Sequence, residues 1–344
     1  MSGSVPDRLC LFFELSAFVF GSPIFAQSWV PQTSNTTVAL RGIHAVSSTV
    51  AWASGAKGTF LKTTDGGANW TPTIVPGAAD ADFRGVHAVS DKSAYLLSSG
   101  TGPLSRLYRT RDGGVKWDLV MVNPDPQGFW DAIAMWDPMH GILLGDAVNG
   151  RFVIWTTSDG ETWQREKKGP QALAGENVFA ASNSSLCVRG AHEAWFGTGG
   201  PNGGRVFHSE DGGKSWTAVK TPLRHDSDSA GIFSLAFADA RHGVAVGGDF
   251  NKPSEPLASA AMTVDGGKTW TLATAPPAGY RSAVTYLGDA KMWIAVGISG
   301  SDVSLDDGRT WKPFDGSAYN AMSFAGPAGW AVGPKGAIAS LRVH

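Results

Sequence analysis

The sequence has almost no net charge: 28 Lys and Arg stand against 30 Asp and Glu in 344 residues, a formal balance of -2. A field of one sign is therefore missing, which excludes long-range attraction to nucleic acid or anionic lipid and makes any charged site a local one. Cysteine is scarce, with only Cys10 and Cys187. The eight histidines form no i, i+4 helical pair and no cluster with carboxylates at ligand spacing, so neither a metal nor a cofactor is expected. The DGG and GTGG glycines precede no helical pattern and carry no phosphate-loop lysine, so they read as turns. Past residue 26 no run approaches the roughly 18 apolar residues of a membrane-crossing helix.

The first 26 residues differ from the rest. Arg8 precedes an apolar stretch from Leu9 to Phe20, and Ser22-Pro23-Ile24-Phe25-Ala26 follows. This is the pattern of a secretory signal peptide, with Pro23 breaking the helix before a small residue. Glu14 interrupts the apolar core and the basic region is a single Arg behind Asp7, which leaves an uncleaved anchor or a misassigned start as the alternatives. Removal of residues 1–26 also removes Cys10, so a mature chain from residue 27 holds Cys187 alone and forms no internal disulfide. Cys187, just before a strand and with no adjacent base, reads as a small buried hydrophobe. The chain is expected to be exported, periplasmic or extracellular.

What is abundant is glycine, with 44 residues, and tryptophan, with 14. Both recur in one string, Ser/Thr-x-Asp-x-Gly-x-x-Trp, found at 63–70, 110–117, 156–163, 209–216, 263–270 and 304–311. The third copy places Ser158 where the others carry their first Asp. Successive tryptophans are 47, 46, 53, 54 and 41 residues apart. Asp and Gly supply a tight turn, Gly taking positive φ and the carboxylate accepting exposed backbone N–H groups, while the Trp ring anchors the turn by burial. The expected turn residues are Asp65, Trp70, Asp112, Trp117, Trp163, Asp211, Trp216, Asp265, Trp270, Asp306 and Trp311. Between copies run two short apolar strands, the second ending in Gly, as in GILLG (141–145), GVAVG (243–247) and WIAVG (293–297). Seven such units occur against six turns. The seventh unit, from Asn320, stops before any Asp-Gly turn, and its missing outer strand is supplied at the other end by Trp29-Val30-Pro31, which resembles Trp70-Thr71-Pro72. About 45 residues per unit suits a four-stranded blade. The expected fold is all-β: one seven-bladed propeller over residues 27–344 whose last blade is closed by the N-terminal strand.

The repeated string resembles the BNR/Asp-box repeat, and the chain from residue 28 onward resembles the photosystem II stability/assembly factor-like group of seven-bladed propellers. FWDAIAMWDPMHGILLGD (129–146), SAGIFSLAF (229–237), AVGGD (245–249) and GYRSAV (279–284) are similar to an exported bacterial branch of that group. The resemblance implies a non-catalytic assembly or stability role with a protein partner. Asp-box propellers also include sialidases, xyloglucan-active hydrolases and sorting receptors, so the fold does not select the chemistry.

Blade topology separates two faces. Turns between strands three and four lie with those between one and two, whereas first-strand starts and two-to-three loops lie opposite, around the channel. That second face gathers Arg41, Arg84, Trp130, Asp131, Glu176, Asn177, Tyr280, Arg281, Tyr319 and Asn320 from the first strands and Asp146, Arg151, Arg205 and Asp249 from the loops. Trp130 is the expected exposed aromatic. Arginine forks there suit carboxylates or phosphates of a partner, and the competing reading is blade-to-blade bridging among the charges themselves. The enzymatic alternative is a sialidase-like, glycan-active hydrolase in which Arg41, Arg84 and Arg281 clamp a carboxylate beside Tyr280, Glu176 and Asp131. The Arg-Ile-Pro signature of sialidases is absent, since Arg41 precedes Gly42-Ile43. A single ring also lacks the inter-domain cleft of two-propeller xyloglucan hydrolases.

Overall fold

The computed structural model describes residues 28–343 together with Met1. The expected signal segment thus falls, Met1 apart, outside the described residues. Seven four-stranded antiparallel sheets follow one another along the chain: residues 40–74, 83–122, 130–165, 186–220, 230–272, 283–315 and 321–342. They are called blades 1 to 7 below. The seventh takes its outer strand from Val30–Pro31, which runs antiparallel to Ile338–Arg342 with Val30 opposite Ser340. The innermost strands touch in the cyclic order of the blades, blade 7 meeting blade 1, so the sheets form a ring. The protein is a seven-bladed, all-β propeller. Among the described residues no helix is long and apolar enough to cross a membrane.

The core is divided among the seven interfaces between neighbouring blades. Trp52 of blade 1 packs with Phe83 and Val86 of blade 2, Trp195 of blade 4 with Ile232 and Leu235 of blade 5, and Trp330 of blade 7 with Leu40 and Ile43 of blade 1. Each blade therefore buries its apolar face only against its neighbours, and stability belongs to the ring. His44 and His87 hold equivalent places on the inner strands of blades 1 and 2 and meet edge to face at 4.3 Å. Burial pushes His44 down to about 4 and His87 well below its usual value, so both are neutral packing groups at physiological pH.

The repeated turns share one hydrogen-bond scheme. In blade 1, Thr63 Oγ1 donates to Asp65 Oδ1 at 2.8 Å and accepts the Gly67 N–H at 2.9 Å, while Asp65 Oδ1 also accepts the Asn69 N–H at 3.0 Å. Gly66 turns the chain at φ 76°, a place filled in blade 6 by Asp307 at φ 57°. The third copy corrects the alignment expected from sequence. Asp159, not Ser158, bonds Thr157 Oγ1 and the Thr162 N–H, and Gly160 N–H reaches Thr157 Oγ1 one residue earlier than in the other copies. The turn has lost one residue and kept its chemistry. The closing tryptophans differ in depth: Trp70, Trp270 and Trp311 are buried, whereas Trp117, Trp163 and Trp216 are half-buried. Cys187 is likewise half-buried, and its surroundings push the thiol pKa up.

Candidate functional site at the channel mouth

Four blades insert one extra residue at the same place in the inner strand, just after its start. Register shifts leave Arg41 unpaired between Leu40 and Gly42, Arg84 between Phe83 and Gly85, Asp131 between Trp130 and Ala132, and Phe233 between Ile232 and Ser234. Such bulges bend a strand and re-aim one side chain. Three of the four, Arg41, Arg84 and Phe233, line a cavity of about 410 Å³. Its wall is completed by Phe179, Phe250, Tyr280, Ile298 and Asn320. First-strand starts and two-to-three loops thus meet at one end of the channel.

The floor is Ala180 and Ala181, and the reason lies in blade 4. Its inner strand begins only at Leu186, and residues 178–185 lie across the channel. Asn183, at φ 68°, bonds the backbone of Ile133 in both directions at 2.9 Å. Ser182 Oγ donates to the Ser282 carbonyl at 2.7 Å, and Ser184 Oγ lies 2.7 Å from Ser234 Oγ. A Cβ on Gly85 would come within 2.7 Å of Asn183 Oδ1. Blades 2, 3, 5 and 6 are all touched by this plug, which turns the mouth into a blind cup.

The wall is aromatic. Phe179 and Phe233 stack at 3.9 Å, Phe250 stands edge-on to both, and Tyr280 meets Phe233 edge-on at 4.7 Å. The positive charge is concentrated on one group. Arg84 is paired with Asp82 at 2.7 Å and leans over Phe129. Among the described residues Arg41 forms no ion pair, and its Nε is buried without a partner. Burial, and next to it the Arg84 charge, pulls the Arg41 pKa below its usual value.

The remaining candidates are placed elsewhere. Arg281 is 1% exposed; its Nε donates to Asp302 Oδ2 at 2.6 Å and its Nη1 to Ser299 and the Tyr280 carbonyl. Glu176 is buried and bonded to Arg205 and Thr198. Arg205 and Arg151 line a separate outer groove with Phe207 and Trp216, where Arg151 donates to the Gly169 carbonyl. Asp249 is buried against Ser229, with Arg224 at 3.6 Å. Asn177 pairs with Gly199 through the backbone and turns its amide to Gly175. Trp130 is fully buried against Trp155, which overturns the expected exposure; its ring occupies the blade 2–3 interface.

The buried Asp131 forms an acidic pair with the half-buried Asp146. Neither Asp131 oxygen has a partner, whereas Asp146 Oδ1 accepts the Val178 N–H at 2.8 Å at the root of the plug. Burial, and for Asp131 also the Asp146 charge, raises both: Asp146 to about 6 and Asp131 well above the carboxylate range. Neither lines the cup. Among the described residues no group of three or more His, Cys, Asp or Glu is placed to hold a metal ion.

Sequence reasoning missed Phe179, Phe233, Phe250 and Ile298. Phe233 had a signal, since it occupies the blade position of Arg41 and Arg84. The plug also left a trace, the polar run Ser182-Asn183-Ser184-Ser185 where an inner strand belongs.

No family model matches the chain, and no curated protein matches it in sequence. Solved structures share its fold. A YCF48 bound to a D1 peptide superposes with a TM-score of 0.64 at 16% identity, covering 94% of this chain and 99% of that one. Virginiamycin B lyase from Staphylococcus aureus gives 0.67 at 14% identity over 92% and 99%. The GH74 enzyme of Niastella koreensis gives 0.64 at 16%, covering 90% of this chain but 53% of the enzyme. At such identities the likeness establishes the propeller alone.

Proposed function

We propose that this protein is an exported, non-catalytic propeller that binds a protein partner through the cup at its channel mouth, in the manner of an assembly or stability factor. The observation that carries the reading is Arg41: a guanidinium partly desolvated in an aromatic cup, whose nearby acid Asp82 is already bonded to Arg84, is costly unless a ligand group arrives. The YCF48 structure with its D1 peptide supports peptide binding on this fold. The pattern of residues 1–26 supports export. For the sialidase-like alternative, the clamp of three arginines would need Arg281, which is committed to Asp302, and a carboxylate beside Tyr280, where Glu176 is committed to Arg205.

The test is affinity capture from envelope extract with the tagged chain, beside Arg41→Ala/Arg84→Ala and, as a control in the outer groove, Arg151→Ala. One stoichiometric partner is expected with wild type and Arg151→Ala and lost with the double variant, all three melting alike. Equal recovery by all three would overturn the reading and move glycan hydrolysis assays forward.

A further inference from the structure

From the charge balance and lining of the cup, we infer that its ligand is a monocarboxylate joined through a short spacer to an aromatic ring. The inference rests on the channel mouth being the binding site and adds the chemistry of what enters it. Charge fixes the anion. Arg84 is neutralised by Asp82 and Arg281 by Asp302, which leaves Arg41 as the one unneutralised cation among the described lining residues. A single positive charge in a partly desolvated site matches one carboxylate; a phosphate dianion would carry an uncompensated charge into it. Arginine binds a carboxylate through its fork of N–H donors.

Lining fixes the rest of the ligand. Beside Arg41 the surfaces are Phe179, Phe233, Phe250, Tyr280, Ile298 and the Ala180-Ala181 floor. Phe179 and Phe233 are nearly parallel in their stack, 7° apart, and present a flat outer face and edges suited to another ring. The floor sets a depth: at about 410 Å³ the blind cup is at the small end of ligand pockets and takes one ring with its acid rather than an extended chain. A free aromatic acid and the aromatic C-terminal residue of a polypeptide share this chemistry.

The experiment is calorimetric titration of the full chain with 3-phenylpropanoate, N-acetylphenylalanine, 3-phenylpropanamide and phenyl phosphate. At least one of the two carboxylates is expected to bind, with the amide and the phosphate dianion about tenfold weaker or worse. Binding of both acids assigns the site to a chain terminus, and binding of phenylpropanoate alone assigns it to a free acid. Arg41→Gln is expected to weaken the acids ten- to about a hundredfold. Phe250→Ala removes a side chain that is 43% exposed; it should melt near wild type and weaken the acids severalfold while keeping their advantage over the amide. Should neither acid bind, or the amide or the phosphate bind as well as the acids, the inference fails. Partner capture that still depends on Arg41 and Arg84 would then leave the proposed function standing without it.

Discussion

Arg41 and Arg281 both occupy first-strand positions on the same face, yet the structure gives them opposite roles. Arg281 is buried with Asp302 as its counter-charge and with Ser299 and the Tyr280 carbonyl filling its remaining bonds. Arg41 sits on a bulge with its Nε unpartnered. Burial lowers the pKa of both; Asp302 opposes it in Arg281 by charge and by hydrogen bond, whereas Asp82 acts on Arg41 by charge alone and gives its hydrogen bond to Arg84. The residue type does not mark the site. An arginine whose charge is already matched holds blades together, and one left unmatched at a cavity is free to hold something else.

That contrast can be broken most sharply by exchanging each arginine for alanine. Arg281→Ala strands a buried Asp302 and should cost about 3–5 kcal/mol in urea unfolding. Arg41→Ala leaves Asp82 still paired with Arg84 and should cost little stability, the difference appearing mainly in binding. A comparable loss in both variants would show that Arg41 is structural as well.

The plug comes next. Asn183→Ala removes two hydrogen bonds to Ile133 and places alanine at a positive φ, for about 1–3 kcal/mol. Faster amide exchange at Ile133 would locate the effect at the channel. Loss of stability with unchanged exchange there would mean that the segment is not the strand's partner in solution.

The acidic pair should show as a pH effect. A carboxyl whose folded pKa is raised contributes stability that is full below about pH 4, the unfolded value, and is lost as pH rises through the folded value. For Asp146 that window runs from about 4 to about 6. Asp131→Asn removes the repulsion between the two, so the decline should shrink and the variant should gain on the order of 1 kcal/mol at pH 7. An unchanged stability–pH curve would mean that the two carboxyls do not interact.

The smallest effect belongs to the opposite face. Hydrogen bonds from Thr162 and the Glu161 N–H hold the Asp159 carboxyl well below the usual range. Its stabilisation is present above about pH 4 and fades only in stronger acid. Asp159→Ala should lower the melting temperature slightly at pH 7, whereas Ser158→Ala should not. The reverse order would restore the alignment that the sequence suggests.

What was legible in the sequence was periodic or local. Six copies of one turn string at blade spacing, together with a seventh strand pair that lacks it, mark the number of blades, because each copy builds its own hydrogen bonds within eight residues. The two strands between copies follow from short apolar runs ending in Gly, and the division into two faces follows from strand order alone. The shift of Asp159 escaped because a deletion and a substitution look alike in a single string. Arg41, Arg84 and Tyr280 were found as candidates and do meet at one cavity. Their neutralised companions could not be told from them, because Asp302, Asp82 and Arg205 lie 21, 2 and 29 residues from the groups they bond at no fixed offset. The sequence by itself determined the repeat, its turn chemistry and which loops share a face. Which arginine stays uncompensated, where Trp130 is buried and how residues 178–185 close the channel were decided by the ring, since charge pairing, desolvation and contact across the axis depend on distances that exist only once seven blades have met.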